Sequence, residues 1–429
     1  MSQEDTAHGR QHADAAPDGS PPPTYLGILA VAEFRAVFVA QVIATLGNVV
    51  AQVTLSVLVY ERTRSPLLAS LTFALGFVPH LFGATLLSAV ADRRPARDVL
   101  VACQAVSFLV VAVMAVPGMP VWALLGLLLV LGTVAPLFQG ARAASLPDVL
   151  PGAAYPLGRS LLRLVSQSTQ IVGFAAGGVL LLALTPGRSL LAAAGGFGAA
   201  ALLLRFGTRR RPARWDAAEG ARTSVARASL AGVREVFAVR GMRPLLALTW
   251  LPPALAVAPE ALAVPYADEL GGGPTAVGLL LCAAPAGSVA GELLAGTVLR
   301  PRTRVRIVLP TAAVLFVPLL VFVLRPGVLL ATALLAVCGL GFSYAMGLDQ
   351  RVLEATPEAL RGRAFTLATA GLMVGQGFGF AGAGAAAEFL PPHHVVAGAG
   401  VLGLLTVVLC RRSLAGRDGG PADDRPGGR

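Results

Sequence analysis

Residues 120–140 read PVWALLGLLLVLGTVAPLFQG, an apolar run without a charged side chain that is followed at once by Arg142. Wound as an α-helix, a run of about 20 residues crosses the roughly 30 Å hydrocarbon core of a bilayer. Its internal glycines and proline would weaken a helix buried in water. In lipid they are tolerated, because neighbouring helices supply the missing hydrogen bonds. Outward from this stretch, similar runs lie at roughly 36–60, 67–90, 99–117, 161–184, 188–206, 244–267, 274–299, 306–325, 327–347, 364–388 and 393–411. The expected fold class is an all-α polytopic membrane protein with twelve transmembrane helices.

Composition points the same way. Of 429 residues, 55% are hydrophobic and only 13% charged, about half the charge of an ordinary soluble domain. Most of the outer surface therefore faces the lipid bilayer. The net charge of +11 comes from arginine, since the chain has no lysine. Arg93, Arg94 and Arg97 follow the second run, Arg142 and Arg159 flank the loop after the fourth, and ten arginines lie between Arg205 and Arg243. Arg300 to Arg306, Arg351 to Arg363, and Arg411 with Arg412 complete one side, against Arg62, Arg64, Arg188 and Arg325 on the other. This alternation requires an even number of spans and places both termini in the cytoplasm. The charge is an orientation device, not a nucleic-acid footprint.

The runs fall into two sixes, giving an N-terminal bundle over 25–206, a basic cytoplasmic loop over 207–243 and a C-terminal bundle over 244–411. Residues 1–24, with Glu4, Asp5, Asp14 and Asp18, read as a disordered tail without a signal-peptide pattern, and 412–429 as a second cytoplasmic tail. Within the loop, Ser224 to Val239 fits either an amphipathic helix on the inner membrane surface or a solvated linker helix. Gly173-Phe174 and Gly177-Gly178 fall at an offset of 204 from Gly377-Phe378 and Ala381-Gly382. Such parallel duplication suits a carrier that rocks one half against the other. Cys103, Cys282, Cys338 and Cys410 lie in apolar runs without metal-ligand spacing and read as packing residues, so no metal is expected.

The loop after the second run, Ser88-Ala89-Val90-Ala91-Asp92-Arg93-Arg94-Pro95-Ala96-Arg97, resembles the Gly-x-Leu-x-Asp-Arg-x-Gly-Arg-Arg signature of the major facilitator superfamily. Asp92, Arg93 and Arg97 match it; Ser88, Pro95 and Ala96 depart. Gly173-Phe174-Ala175-Ala176-Gly177-Gly178 is similar to the Gly-Pro-x-x-Gly-Gly of exporters in that superfamily, without the proline. Leu46-Gly47-Asn48, Leu58-Val59-Tyr60-Glu61 and Leu360-Arg361-Gly362-Arg363-Ala364-Phe365 resemble its bacterial drug and siderophore exporter branch. The resemblance covers roughly 25–411 and implies a multi-pass transporter of the bacterial cytoplasmic membrane. It also implies a latch in this loop, where Asp92 can pair with Arg93, with Arg97 or with Arg142 across the bundle.

Carboxylates inside apolar spans are functional candidates by default. Glu260 lies in the proline-rich seventh run and Glu292 between Gly291 and Gly296 of the eighth. With His80, which can titrate near neutral pH, they are the candidates for proton coupling. Asn48 and Gln52 share a helical face, and with Gln104, Gln167, Gln170 and Gln376 they are candidates for the substrate cavity. Gly173, Gly177 and Gly178, with Gly375 and Gly379, allow close helix packing. A chain without lysine has no Gly-x-x-x-x-Gly-Lys-Ser/Thr loop, so ATP-driven pumping through such a loop is excluded.

The leading expectation is a monomeric, proton-coupled antiporter exporting a small, partly apolar organic compound, with no enzymatic activity and no cofactor beyond the proton. Uptake of a polar metabolite would need a strongly polar cavity, for which few charged residues are available. Lipid translocation fits the same apolar cavity. An enzyme would need titratable residues clustered at one depth, and His393-His394 with Glu388 is the nearest approach to that.

Overall fold

The computed structural model describes residues 24–77, 94–150, 154–211, 234–239 and 241–418. His80, Asp92, Arg93, most of the basic loop, residues 1–23 of the first tail and residues 419–429 of the second lie outside the described residues. All described elements are helical. The first half contains α1 (Tyr25–Ala30), α2 (Ala32–Thr63), α3 (Pro66–Ala74), α4 (Ala96–Met114), α5 (Val121–Val149), α6 (Ala154–Ala183) and α7 (Pro186–Gly207). The second contains α8 (Met242–Ala256), α9 (Ala258–Ala261), α10 (Ala263–Glu269), α11 (Gly273–Val298), α12 (Pro301–Arg306), α13 (Val308–Val314), a 3-10 segment (Val317–Leu324), α14 (Val328–Gly341), α15 (Tyr344–Ala355), α16 (Arg361–Ala386) and α17 (Pro392–Asp418).

The chain is an all-α, multi-pass membrane protein. Among the described residues nine helices are long and apolar enough to span a bilayer, and the bent segment from α8 to α10 makes a tenth. The run expected at 306–325 is the shorter apolar stretch Val308–Leu324, and the run expected at 67–90 is described only through α3 and its following turn. Side chains such as Leu182, Leu202, Phe206 and Phe378 stand on outward faces. An apolar exterior of this extent is stable in lipid and not in water.

Proline explains the break in the seventh span. Pro252 and Pro253 lie within α8, while Pro259 and Pro265 open the two short pieces that follow, and the axis bends by 40°. Each proline removes an amide donor and clashes with the preceding turn. Ser65 starts α3 differently: its hydroxyl accepts from the Leu68 amide, and Pro66 occupies the first helical position.

Helix packing sorts the described elements into two groups. In the first, α2 lies against α6 and α7, and α4 against α5 and α7; in the second, α8 lies against α16 and α17, and α11 against α14. The most extensive contacts between the groups are those of α3 with α16 and of α6 with α11. At the first crossing, the Phe380 ring stacks on Phe73 and Phe77 with centroids 5.3 and 5.6 Å apart.

The described end of the basic loop packs its apolar residues against the helix bundle. Val236 is fully buried, the Phe237 ring stands 6.2 Å from that of Trp250, and Glu235 accepts from Arg363 at 2.8 Å. Its apolar residues find a protein core closer than lipid, so the surface-helix expectation is corrected for residues 234–239. The other end is fastened to the first half, where both Glu33 oxygens accept from Arg211 at 2.6 and 2.8 Å.

Candidate functional site

A cavity of about 300 Å³ opens within the first half, lined by Gln41, Thr45 and Asn48 of α2, Gln104 and Ser107 of α4, Gln139 of α5, and Ser166, Gln167 and Gln170 of α6. Phe138 and Phe197 are among its apolar walls. Positions 41, 45 and 48 follow the helical repeat, which presents them on one face of α2. Gln41 donates to the Thr45 hydroxyl at 3.0 Å and to the Ser166 hydroxyl at 3.5 Å, while Ser166 gives its own proton to the Leu162 carbonyl at 2.8 Å. Arg142 donates to the side-chain oxygen of Gln139 at 2.8 Å.

A second cavity, about 440 Å³, separates α6 from α11 and α15. Gln167 lines both cavities, so the two adjoin; Glu292, Arg304 and Asp349 add charge, and Leu164, Val289, Leu293 and Met346 add apolar surface. Arg304 is anchored by donation to the Leu299 and Gly296 carbonyls at 3.0 and 2.7 Å.

The gap between the halves is closed at the end where arginine is scarce. Arg64 pairs with Asp268 at 3.0 Å, and the Glu388 carboxylate accepts from the Ser65 hydroxyl at 2.5 Å and from the Leu67 amide at 3.0 Å. On the same face, Glu269 holds Arg325 at 3.3 Å and His393 at 3.1 Å. His393 thus meets Glu269, while Glu388, its neighbour in sequence, is engaged across the molecule. At the arginine-rich end the described ion pairs do not bridge the halves: Arg210 binds Asp98 at 2.9 Å, and Arg97 donates to the Arg205 carbonyl.

Glycine governs how closely the helices approach. A methyl added at Gly173 would lie 2.9 Å from Val49 Cβ, and at Gly177 3.1 Å from Val53 Cβ, so both fit α6 against α2 of the same half. Gly375 and Gly379 do the same for α16 against Trp250 and Ala254 of α8. Gly178 instead meets the other half, where an added methyl would stand 2.8 Å from Gly278 Cα. Close packing between α6 and α11 therefore lies near the arginine-poor end, and the second cavity opens between them toward the other.

The structure brings Asn48, Gln104, Gln167 and Gln170 together in one cavity. Gln52 and Gln376 line neither cavity. For Gln52 the reason is the contact of Val49 and Val53 with α6, which closes the space above Asn48. Glu292 lines the second cavity. Glu260 lines neither; it sits on α9, packed among α3, α11 and α16. The expected partner of Arg142 was Asp92, which lies outside the described residues, and the partner described for Arg142 is Gln139. Sequence reasoning missed Gln41, Thr45, Ser107, Gln139 and Ser166. The i, i+4, i+7 spacing of Gln41, Thr45 and Asn48 was the available signal.

A model of the family described as Major Facilitator Superfamily matches residues 37–354. Among curated proteins, none matches the chain by sequence. Of the solved structures similar to it, a POT family transporter in complex with 5-aminolevulinic acid has a TM-score of 0.71 at 10% identity, covering 91% of this chain and 97% of that one. A nucleoside transporter has a TM-score of 0.68 at 14% identity, with 89% and 99% covered. A bacterial homologue of the human lysosomal transporter Spinster, inward-facing and unoccupied, has a TM-score of 0.58 at 14% identity, with 89% and 96% covered.

Proposed function

Because the chain belongs to the Major Facilitator Superfamily, and hence is a secondary transporter of small organic solutes and not an enzyme, we propose that it carries a small polar metabolite into the cell. The observation that carries this reading is the cavity of neutral carboxamides and hydroxyls beside the gap between the halves. Sequence reasoning ranked uptake below efflux because charged residues are scarce. Six carboxamides and their neighbouring hydroxyls supply polarity without charge. The nucleoside and 5-aminolevulinic acid named with two similar folds are small polar molecules too.

In this reading the spans number twelve, six in each half. The arginine-rich end is cytoplasmic by the positive-inside rule, so the Arg64–Asp268 ion pair and the hydrogen bonds of Glu388 close the outer end of an inward-open carrier. Alternating access breaks these contacts and brings the inner ends of α6 and α11 together. Protons are the coupling ion, with Glu292 at the wall of the second cavity and Glu260 at the meeting of the halves as the exchanging groups.

Efflux of an amphiphile, as in the drug and siderophore exporter branch, is the second reading. Its support is the second cavity, where Leu164, Val289, Leu293 and Met346 accompany Glu292.

Flux into proteoliposomes of known orientation separates the two. Uptake predicts accumulation of a polar solute on the cytoplasmic face, driven by a proton gradient running in the same direction. Movement of solute only against the proton flow establishes export, and flux that ignores the gradient removes proton coupling.

A further inference from the structure

The wall of the first-half cavity turns donors toward the open space. The Gln41 and Gln104 side-chain oxygens are buried without a hydrogen-bond partner among the described residues, so neither faces the cavity. Gln41 spends its NH2 on the Thr45 and Ser166 hydroxyls, and Ser166 gives its own proton to the Leu162 carbonyl. Thr45 therefore accepts from Gln41 and keeps its proton for the cavity that it lines. Gln139 is exposed on the same wall. Its oxygen accepts from Arg142 at 2.8 Å, which leaves its NH2 facing the cavity as a donor. The lining residues include no acid and no base, but charge stands directly behind them. Arg142 makes no ion pair among the described residues, and its Nη1 is buried without a hydrogen-bond partner. Because a guanidinium stays protonated, a full positive charge lies one carboxamide away from a cavity of neutral donors.

From this pattern we propose that the first-half cavity binds the carboxylate of a small, singly charged organic acid, with Gln139 and Thr45 as donors and Arg142 as the counter-charge; the proposal names the substrate class of the carrier reading above and rests on it. An ionised carboxylate only accepts, which is what a wall of NH2 and OH donors requires. A buried ion without a partner is strongly disfavoured, and one carboxylate beside one guanidinium removes that cost for both. An ammonium would meet donors and a charge of its own sign. A phosphate monoester brings nearly two negative charges to a single cation. Arg142 acts through Gln139: it fixes which end of the carboxamide faces the ligand and supplies the field behind it. The volume of about 300 Å³ is at the small end of ligand sites and holds a solute the size of a sugar acid. Phe138 and Phe197 offer apolar walls to its carbon skeleton.

The test uses the full-length protein, purified for binding and reconstituted in proteoliposomes for counterflow. The labelled probes are two matched pairs, glucuronate with glucose and lactate with lactamide, together with glucosamine and glucose 6-phosphate. In at least one pair the acid is expected to exchange and to bind about tenfold or more tightly than its uncharged partner, since hydrogen bonds to a charged group are the stronger ones. Gln139→Glu sets a carboxylate of the protein against Arg142; it should keep the parent Tm and remove the preference for the acid. Arg142→Lys retains the charge and should retain most of that preference, whereas Arg142→Met should lose it. A preference for the acid that survives both Gln139→Glu and Arg142→Met overturns the site. So does an equal loss of affinity for both members of a pair, which is the mark of a purely structural arginine. Exchange of only the uncharged probes, glucosamine or glucose 6-phosphate overturns the proposed chemistry while leaving the carrier reading intact. An acid that binds, with the variant effects above, but never exchanges supports the site and removes the carrier reading. Neither binding nor exchange of any probe overturns the inference.

Discussion

Arg64 Nη1 lies 3.0 Å from Asp268 Oδ2 and joins the turn after α2 to the end of α10, one residue from each half of the molecule. The side chains are 67% and 52% exposed, so the pair contributes less than about 1 kcal/mol. Glu388 makes the stronger fastening, since its charged oxygen accepts from both Ser65 and Leu67, and hydrogen bonds to charged groups contribute about 1.5–3 kcal/mol each. Spin labels at Glu61 and Phe389, on opposite sides of the gap, read the consequence. Glu388→Ala should increase the population with long label distances about tenfold, and Arg64→Ala by no more than about fivefold. Equal effects, or none, would show that the closed end is held by helix packing.

A second prediction concerns Gly178. An added methyl would meet Gly278 Cα and the Pro274 carbonyl oxygen, both at 2.8 Å and both backbone. No side chain can swing aside, and overpacking of this kind costs about 1–3 kcal/mol. Gly178→Ala should force α6 and α11 apart and reduce counterflow several-fold. Gly126→Ala is the control, because nothing lies within 4 Å of the added atom; its counterflow should stay at the parent level.

The carboxylates give a third. Glu292→Gln and Glu260→Gln should each abolish gradient-driven accumulation while counterflow, which needs no net proton movement, remains. Retained accumulation in either variant, measured with a pH gradient imposed across proteoliposomes, removes that residue from the coupling site.

The basic loop gives a fourth. Glu33 accepts from two Arg211 nitrogens and from the Arg209 amide at 3.0 Å. Replacing it with alanine should destabilise the detergent-solubilised protein by about 2–3 kcal/mol and lower its Tm by several degrees. Arg211→Lys in the parent background should lose part of the same stability, since an ammonium cannot reproduce the paired geometry of a guanidinium. A Tm unchanged by Glu33→Ala would show that the loop is fastened by other contacts.

The sequence by itself determined the class of the molecule. Apolar runs such as 120–140 are too long and too free of charge for a water-facing domain, and the placement of arginines indicates how they alternate across a membrane. It also located the prolines that break the span containing Glu260, because a missing amide acts locally. Glu292, Asn48, Gln104, Gln167 and Gln170 were legible as polar groups in apolar surroundings, but their neighbours were not. Only the tertiary structure decided that Asn48 lines the cavity and Gln52 does not, that Gly178 meets the opposite half while Gly173 and Gly177 stay within their own, and that Glu388 reaches Ser65 and not His393. Each of these depends on the approach of helices far apart in sequence. Hydropathy and spacing define the faces of a single helix; which face meets another helix, and which is left open as a cavity, is settled by side-chain volumes where the helices cross.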